Sequence, residues 1–301
     1  MTLFLKKVIR KINFYLKRCF SITKEQEWSI GIYRGNTPFD IAPVNSNPVL
    51  TKENVTDKKA TYVADPFMIK VKDLWYMFFE VKEKDSYQTY IAYATSEDCL
   101  KWKYEKIILN GEPIQSYPYI FEWQGEYYML PESYRTNSIR LYKANNFPEE
   151  WHLEKILIKG KEYADSSIVR YNNKWWIFTS IGNKEMYVFY SDTLTGDWKE
   201  HSLNPIIKND KTKARAAGRI IEYNGNLYRF AQDCKEYYGN KVRAFKLLKL
   251  TETEYEEEDT GVVLEEGNLG WNSRGIHTID PHQLEDGTWI SCVDGYKEAI
   301  T

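Results

Sequence analysis

Carboxylates recur at one position of a repeated sequence unit, and convergent carboxylates are what glycosidic chemistry requires. Asp65, Tyr117 and Asp165 each stand ten residues before the leading position of an aromatic and apolar segment, and Asp280 stands nine residues before its own. One ionised carboxylate can act as base or nucleophile, while a second with a raised pKa acts as acid. A single Asp before Pro commonly only caps a turn. Three aspartates at matched positions, Asp65, Asp165 and Asp280, predict a site that handles a sugar or a phosphate.

The unit that carries these residues repeats through the chain. Successive equivalent positions are 52, 48, 52 and 62 residues apart, at Trp75, Tyr127, Trp175, Leu227 and Trp289. Each lies in a predicted hairpin of an apolar strand, a turn rich in Gly, Asn or Asp, and a second strand. A period of about 50 residues with four short strands is typical of a β-propeller blade. We predict an all-β fold, a single five-bladed β-propeller at 25–301, whose last blade is completed by a strand at 27–35.

Further polar side chains are predicted at the same end of the central channel. The second strands end at a matched offset with Glu80, Glu132, Ser180, Gln232 and Asp294. Arg215 and Arg219 stand before the second strand of the fourth repeat. Arginine forks suit phosphate oxygens, and an ion pair with Asp165 or Asp280 explains the two arginines equally well.

Two histidines flank the last of the recurring carboxylates. His277 and His282 lie three residues before and two residues after Asp280. The three side chains could bind a metal ion, but a hydrogen-bonded cluster is the commoner arrangement. We predict neither a metal nor a cofactor.

Charge and composition exclude several classes of function. The net charge is −2, yet residues 1–22 carry six positive charges and no acid, which leaves −8 for the rest. An acidic body argues against nucleic acid as a partner. Segment 1–24 has helical apolar spacing and no signal-peptide core, so we expect a basic amphipathic helix or tail that contacts the inner membrane face through 1–22 or docks on its own domain. Four widely spaced cysteines fit reduced thiols in a cytoplasmic protein.

Five stretches of the sequence resemble the N-terminal domain of the plant glucosamine inositolphosphorylceramide transferase family. In blade order they read ADPF, SYPYIFEWQGEYYMLPES, ADSSIVRYNNKWWIFTS, RAAGRIIEYNGNLYRFAQDC and GIHTIDPH. Bacterial relatives of that domain are associated with surface-polysaccharide assembly, which implies a carbohydrate substrate.

More distantly, the blades are similar to those of the five-bladed furanosidase-type glycoside hydrolases, the arabinanases and xylosidases. That resemblance implies a base at Asp65 and puts Asp165 at the position of the acid, with a shorter side chain. Tyr117 replaces a carboxylate that adjusts the pKa of the acid, and this departure speaks against simple inverting hydrolysis.

We interpret the chain as a glycosyltransferase-like enzyme of surface polysaccharide or glycolipid biosynthesis. It would transfer a sugar, with a furanose from a phosphorylated donor as one option, to a glycan or glycolipid acceptor. The predicted catalytic residues are Asp65, Asp165 and Glu132. The predicted substrate-binding residues are Glu80, Tyr117, Arg215, Arg219, Gln232, Asp233, His277, Asp280 and His282. The alternatives are a glycoside hydrolase acting on furanosides or pentosides, and a non-catalytic carbohydrate-binding propeller that supports a separate glycosyltransferase.

Overall fold

A computed structural model describes residues 26–110, 113–268 and 270–298, and its strands form five antiparallel sheets arranged as propeller blades. The predicted amphipathic segment at 1–24 lies outside these residues. The described chain opens with β1 (Gln26–Gly35) and β2 (Ile41–Pro43). Its helical segments are two short 3₁₀ turns, Lys52–Asn54 and Tyr134–Thr136. The all-β, five-bladed prediction is confirmed.

Blades one to three follow one another along the chain. Blade one contains β3 to β6, at Ala60–Val71, Leu74–Glu83, Thr89–Ser96 and Lys103–Leu109. Blade two contains β7 to β10, at Ser116–Trp123, Glu126–Glu132, Ser138–Asn146 and Glu150–Lys159. Blade three contains β11 to β15, at Tyr163–Tyr171, Lys174–Ile181, Glu185–Ser191, Lys199–Glu200 and Ile207–Lys208.

Blade five joins the two ends of the described chain. Blade four contains β16 to β20, at Arg215–Ala216, Ile221–Tyr223, Asn226–Asp233, Lys241–Leu250 and Tyr255–Glu265. Blade five has the strand order β2-β1-β22-β21, with β21 at Ile279–Gln283 and β22 at Trp289–Glu298. β1 pairs with β22 from Gln26↔Glu298 to Gly35↔Trp289. The predicted pairing of the 27–35 strand with the last blade is therefore observed, and it closes the ring.

The turns between the first and second strands set the register of the blades. Asn172 and Asn173 both have positive φ, at 49° and 62°, as do Asn224 and Gly225, at 49° and 71°. Two consecutive residues of this conformation make a type I′ turn, whose twist matches that of the flanking strands. Asn and Gly adopt it at little cost, so these turn residues hold the hairpins of blades three and four in one register.

Aromatic side chains fill the contacts between blades. Trp175 of blade three packs against Phe121 and Trp123 of blade two, with ring centroids 5.9 and 5.1 Å apart. Trp75, Trp175 and Trp289 are all buried, as expected for side chains of this apolar area. In the described part of the chain, no helix is long and apolar enough to span a bilayer.

Candidate functional site

Asp65 and Asp165 occupy the same structural position in blades one and three. Asp65 lies in a bulge between the pairs Ala64↔Glu80 and Phe67↔Phe78 of β3 and β4. Asp165 lies in the corresponding bulge of β11. Both have left-handed backbone, with φ of 53° and 47°, which is uncommon for residues other than glycine and is best tolerated by Asp and Asn. The extra residue re-aims the side chain, and both carboxylates line the channel mouth.

A cavity of about 310 Å³ lies at this mouth. Six of the predicted site residues line it, namely Asp65, Glu80, Glu132, Asp165, Arg215 and His277. They come from blades one to four and from the segment before β21, so residues far apart in sequence meet here as the repeat pattern predicted.

The polar residues at the ends of the second strands fasten one blade to the next. Glu132 Oε2 accepts a hydrogen bond from the backbone N–H of Asp165 at 3.0 Å. Asp294 Oδ2 accepts in the same way from Asp65, also at 3.0 Å. In blade three the polar residue is Ser180, whose Oγ accepts from the backbone of blade four. These side chains therefore hold the backbone of the bulged carboxylates in place.

Asp65 belongs to a row of polar contacts that runs through His277 to Asp294. The imidazole Nδ1 lies 2.8 Å from Asp294 Oδ1, and Nε2 lies 3.3 Å from Asp65 Oδ1. Burial disfavours the charged imidazole, but Asp294 and Asp65 outweigh it and raise the pKa of His277. Thr278 Oγ1 donates to Asp65 at 2.9 Å. Burial raises the pKa of Asp65 to about 6, against the opposing effect of His277.

Two further carboxyl groups, those of Asp165 and Glu132, lie around Arg215. Its Nε donates to Asp165 Oδ2 at 2.5 Å, and its Nη2 lies 3.7 Å from Glu132. Gln232 donates to the same oxygen of Asp165 at 2.9 Å. Burial raises the pKa of Glu132 well above its usual value, Asp165 adds to this, and Arg215 opposes it only in part. Burial and the neighbouring Asp65 likewise raise the pKa of Glu80. Both glutamates therefore retain a proton to higher pH than an exposed glutamate does.

The expected convergence of Asp280 with Asp65 and Asp165 is wrong. β21 pairs Asp280 with Cys292 without a bulge, which is the level of Phe67 opposite Phe78 in blade one. Trp289 pairs with Gln283 as Trp75 pairs with Lys70, so Asp280, three residues before Gln283, matches Phe67 and falls short of the Asp65 position. Asp280 lies deeper in the channel, outside the residues that line the mouth cavity.

Asp280 instead forms a buried ion pair with Arg219. Arg219 Nε donates to Asp280 at 2.5 Å, and Nη2 donates to the carbonyls of Met68 and Ile120 at 3.2 and 2.9 Å. Asp280 also accepts from the backbone N–H of Met68 and contacts His282 Nε2 at 2.8 Å. Burial opposes ionisation, yet Arg219 and His282 lower the pKa of Asp280. Arg219, Asp280 and His282, predicted to bind substrate, thus join blades four, five, one and two.

Three further predicted residues lie outside the cavity. Tyr117 is fully buried, with its hydroxyl 3.1 Å from Ser167 Oγ. Gln232 lies behind Asp165, and Asp233 lies 3.9 Å from Arg243. None of the three is among the residues that line the described mouth cavity.

Asp65, His277 and Asp294 also have the spacing of a small metal site, with one donor atom from each within 4.8 Å of the others. Asp294 Oδ1, however, already accepts from three N–H groups, namely His277 Nδ1 and the backbones of His277 and Thr278. The two imidazole nitrogens each face a carboxylate. The geometry favours a hydrogen-bonded cluster, and His282 lies apart from it beside Asp280.

Comparison with known proteins places the chain in a family. The sequence profile described as "Glucosamine inositolphosphorylceramide transferase 1, N-terminal" matches residues 20–296. The chain belongs to this family.

Two plant members show how much of their length the family domain occupies. Glucosamine inositolphosphorylceramide transferase 1 of Oryza sativa subsp. japonica is 38% identical over 299 residues, covering 90% of this chain and 40% of the rice protein. The protein of the same name from Arabidopsis thaliana is 36% identical and covers 90% of this chain and 39% of its own length. The chain thus spans about two fifths of the curated relatives it matches.

A solved structure shares the propeller fold at low sequence identity. An exo-1,5-alpha-L-arabinanase from a bovine ruminal metagenomic library superimposes with a TM-score of 0.59 at 12% identity, covering 77% of this chain and 91% of that chain. The similarity to a furanosidase-type fold is confirmed, and at this identity it concerns the fold alone.

Several cavity residues of this family member have no counterpart in the repeat pattern. Tyr62 donates to Glu80 at 3.4 Å. Tyr238 lies in the β18–β19 connection, 5.1 Å from the Arg215 guanidinium, and Trp28 lies on the closing strand. Lys82 and Arg135 complete the rim. Sequence reasoning missed these residues because only positions that recur between blades carried a signal.

Proposed function

We propose that the chain is a carbohydrate-active enzyme that performs glycosyl transfer at the channel mouth, in the assembly of a glycolipid or a related surface glycan. The observation that carries this proposal is the pair of facing carboxyl couples in one cavity, Asp65 with Glu80 and Asp165 with Glu132. Burial raises the pKa of Glu80 and of Glu132, and a carboxyl with a raised pKa beside a second carboxyl is the arrangement that acid–base catalysis at an anomeric carbon uses. The names of the plant relatives support a transferase.

In this mechanism Asp65 is the base. With a pKa of about 6 it is mostly ionised at neutral pH, and His277 and Thr278 hold it against rotation. Asp65 accepts the proton of the attacking hydroxyl group while that oxygen bonds to the anomeric carbon. Asp294 acts through His277, so it is a positioning residue.

Glu132 is the acid, and Asp165 is the electrostatic partner. Glu132, whose pKa burial raises well above its usual value, donates its proton to the leaving oxygen as the old bond breaks. Asp165, which Arg215 orients, stabilises positive charge at the anomeric carbon. Asp65 gains one proton and Glu132 loses one, so the net charge of the site is unchanged. After the product leaves, Asp65 releases its proton to solvent and Glu132 takes one up, which restores the starting state.

The same constellation would hydrolyse a glycoside if water were the attacking group. A glycoside hydrolase is therefore the second candidate, favoured by the arabinanase-like fold. Because the chain spans about two fifths of its plant relatives, the reaction in their name can depend on the rest of those proteins. A propeller that only binds the glycan for a separate transferase is the third candidate.

One set of variants separates the three candidates. Asp65→Asn and Glu132→Gln are assayed beside wild type and the exposed-turn control Asp73→Asn. The assays are sugar transfer from UDP-N-acetylglucosamine to an inositolphosphoryl glycolipid, and sugar release from nitrophenyl arabinofuranoside, whose furanose tests the donor class. We expect transfer to fall about 10²- to 10⁴-fold in both site variants and to rise from pH 5 to 7 in wild type as Asp65 ionises.

The outcomes divide cleanly. Release of arabinose that Asp65→Asn abolishes would favour the hydrolase. Glycan binding without turnover of any kind would favour the binding propeller. Transfer that survives both site substitutions would overturn the proposed mechanism.

We propose that the protein acts at the cytoplasmic face of the inner membrane. The support for this location is the six positive charges of residues 1–22, which would attract anionic lipid by about 1 kcal/mol each. The test compares sedimentation of the full chain and of a 1–22 deletion with phosphatidylglycerol vesicles. Equal sedimentation of the two would remove the proposal.

A further inference from the structure

The mouth cavity continues into a larger groove on blade one. A second cavity of about 620 Å³ lies between the start of β3 and the β4–β5 hairpin. The two cavities share four lining residues, Gln26, Tyr62, Lys82 and Tyr87. A ligand can therefore extend from the carboxyl couples outward over blade one without crossing a wall of backbone.

Two cations line the mouth cavity, Lys82 at the junction and Arg135 inside the mouth, each just beyond a carboxyl of its own blade. Lys82 lies two residues after Glu80 on β4, and Arg135 lies three residues after Glu132 in the 3₁₀ turn. Both line the mouth cavity. Among described carboxylates, none lies within ion-pair distance of Lys82 Nζ. The arrangement places a cationic rim outside the carboxyl layer.

The two cations are close enough to influence each other. Burial lowers the pKa of Lys82, Glu80 opposes that effect, and the charge of Arg135 adds to it. Like charges held together on a cavity wall favour an anion between them. Arg215 and Arg219 already donate to Asp165 and Asp280, whereas no described carboxylate lies within ion-pair distance of Lys82 Nζ, so the phosphate role expected of those two arginines is better met beside Lys82.

Tyr87 supplies an apolar surface at the same junction. Its side chain is 73% exposed, lines both cavities, and lies 5.9 Å from Lys82 Nζ. Exposed aromatic rings at a cavity rim are suited to flat contacts with a ligand ring while polar groups bind elsewhere.

We propose that Lys82 and Arg135 form a phosphate subsite, and that the ring attached to the phosphate lies against Tyr87 in the groove. This assignment rests on the proposed function, since it supplies the anionic part of the sugar donor or of the acceptor that meets the carboxyl couples. The shared chemistry is a phosphate ester on a sugar or polyol ring. Its two sources are the diphosphate of a nucleotide sugar and the phosphodiester of a glycolipid.

The test measures binding by calorimetry with four probes. Myo-inositol 1-phosphate stands for the acceptor, UDP-N-acetylglucosamine stands for the donor, and myo-inositol and N-acetylglucosamine are their uncharged controls. The variants are Lys82→Gln, Arg135→Gln and Tyr87→Ala. The matched controls are Lys101→Gln, an exposed lysine in a turn beyond β5, and Tyr171→Ala, an exposed tyrosine at the end of β11.

We expect one phosphorylated probe to bind wild type at least about tenfold more tightly than its uncharged control. Lys82→Gln and Arg135→Gln should each weaken that probe about tenfold and reduce the salt dependence of its Kd, with the uncharged ring unchanged. Tyr87→Ala should weaken both forms of the ring. The probe that responds identifies the source of the phosphate.

The proposal is overturned if wild type binds neither phosphorylated probe, or if Lys101→Gln weakens binding as much as the two rim substitutions. It is also overturned if the rim substitutions leave the salt dependence of Kd unchanged. Because the readout is binding, it is independent of turnover. Rim-dependent binding together with full turnover in Asp65→Asn would retain the subsite and reject the mechanism.

Discussion

Arg215 and Arg219 lie four residues apart in blade four, and each binds an aspartate of a neighbouring blade at 2.5 Å. Burial does not distinguish them, because 17% and 16% of the two side chains are exposed. Their partners do. Arg219 and Asp280 also bind the backbone of Met68 and Ile120, whereas the contacts of Arg215 are to other side chains.

The balance of charge also differs between the channel around Arg219 and the mouth around Arg215. In the channel Arg219 and His282 face Asp280, whose pKa is lowered, so the pair is ionised and stable. Around the mouth, two buried basic side chains, Arg215 and His277, lie among five carboxyl groups. These are Asp65, Glu80, Glu132, Asp165 and Asp294. Two cations cannot compensate five ionised acids in a buried site, so protons are retained. The comparison separates an ion pair that holds the fold from one that borders reactive groups.

The largest expected effect is loss of stability in Arg219→Met. The substitution leaves the buried Asp280 without its main cation and two carbonyls without a donor, which should cost about 3–5 kcal/mol. Guanidinium unfolding measures it. Arg274→Met is the control, since Arg274 pairs with Glu298 at 3.4 Å with 54% of its side chain exposed and should cost less than about 1 kcal/mol. Equal costs for the two variants would mean that the channel pair does not join the blades.

Arg215→Met should destabilise less, by about 1–2 kcal/mol, because the cavity lets water and a proton reach the abandoned carboxylates. The cost should be smaller at pH 5 than at pH 8, because Glu132, whose pKa burial raises, is more fully protonated at the lower pH. Transfer should fall about 100-fold, since Asp165 loses the group that orients it. A stability loss as large as that of Arg219→Met, independent of pH, would contradict the division.

Glu132→Gln is expected to stabilise the protein at high pH. A carboxyl whose pKa is raised on folding contributes most stability below its unfolded pKa, near 4.3, and that contribution is lost as pH rises through the folded pKa. Gln imitates the protonated acid permanently and can still accept from Asp165. The variant should match wild type near pH 5 and exceed it by about 1 kcal/mol at pH 9. Unfolding curves from pH 5 to 9 measure this, with exposed Glu97→Gln as control, and parallel pH profiles would refute it.

Repeat spacing predicted what recurs, and it failed where blades differ. The ring of five blades, the closing strand and the approach of Asp65 to Asp165 all follow from positions that repeat every 50 residues or so. The position of Asp280 does not follow from this repeat, because the one-residue bulge that positions Asp65 in β3 is absent from β21. Tyr238 and Arg135 come from connections without repeat counterparts. Which of Arg215 and Arg219 holds the fold and which borders the site depends on the backbone groups within reach of each guanidinium. Residue spacing does not contain that information.

The smallest expected effect is that of Tyr117→Phe, which tests the boundary between site and support. Ser167 Oγ donates to Gly218 O at 2.7 Å, so the Tyr117 hydroxyl donates to Ser167. Phe keeps the ring against Phe67 and leaves the bond from Ser167 to Gly218 intact, so only one buried hydrogen bond is lost, worth about 1 kcal/mol. Unfolding should show that loss while transfer remains within twofold of wild type. A tenfold fall in transfer at unchanged stability would instead place the hydroxyl in contact with substrate and extend the reactive region one layer deeper into the channel.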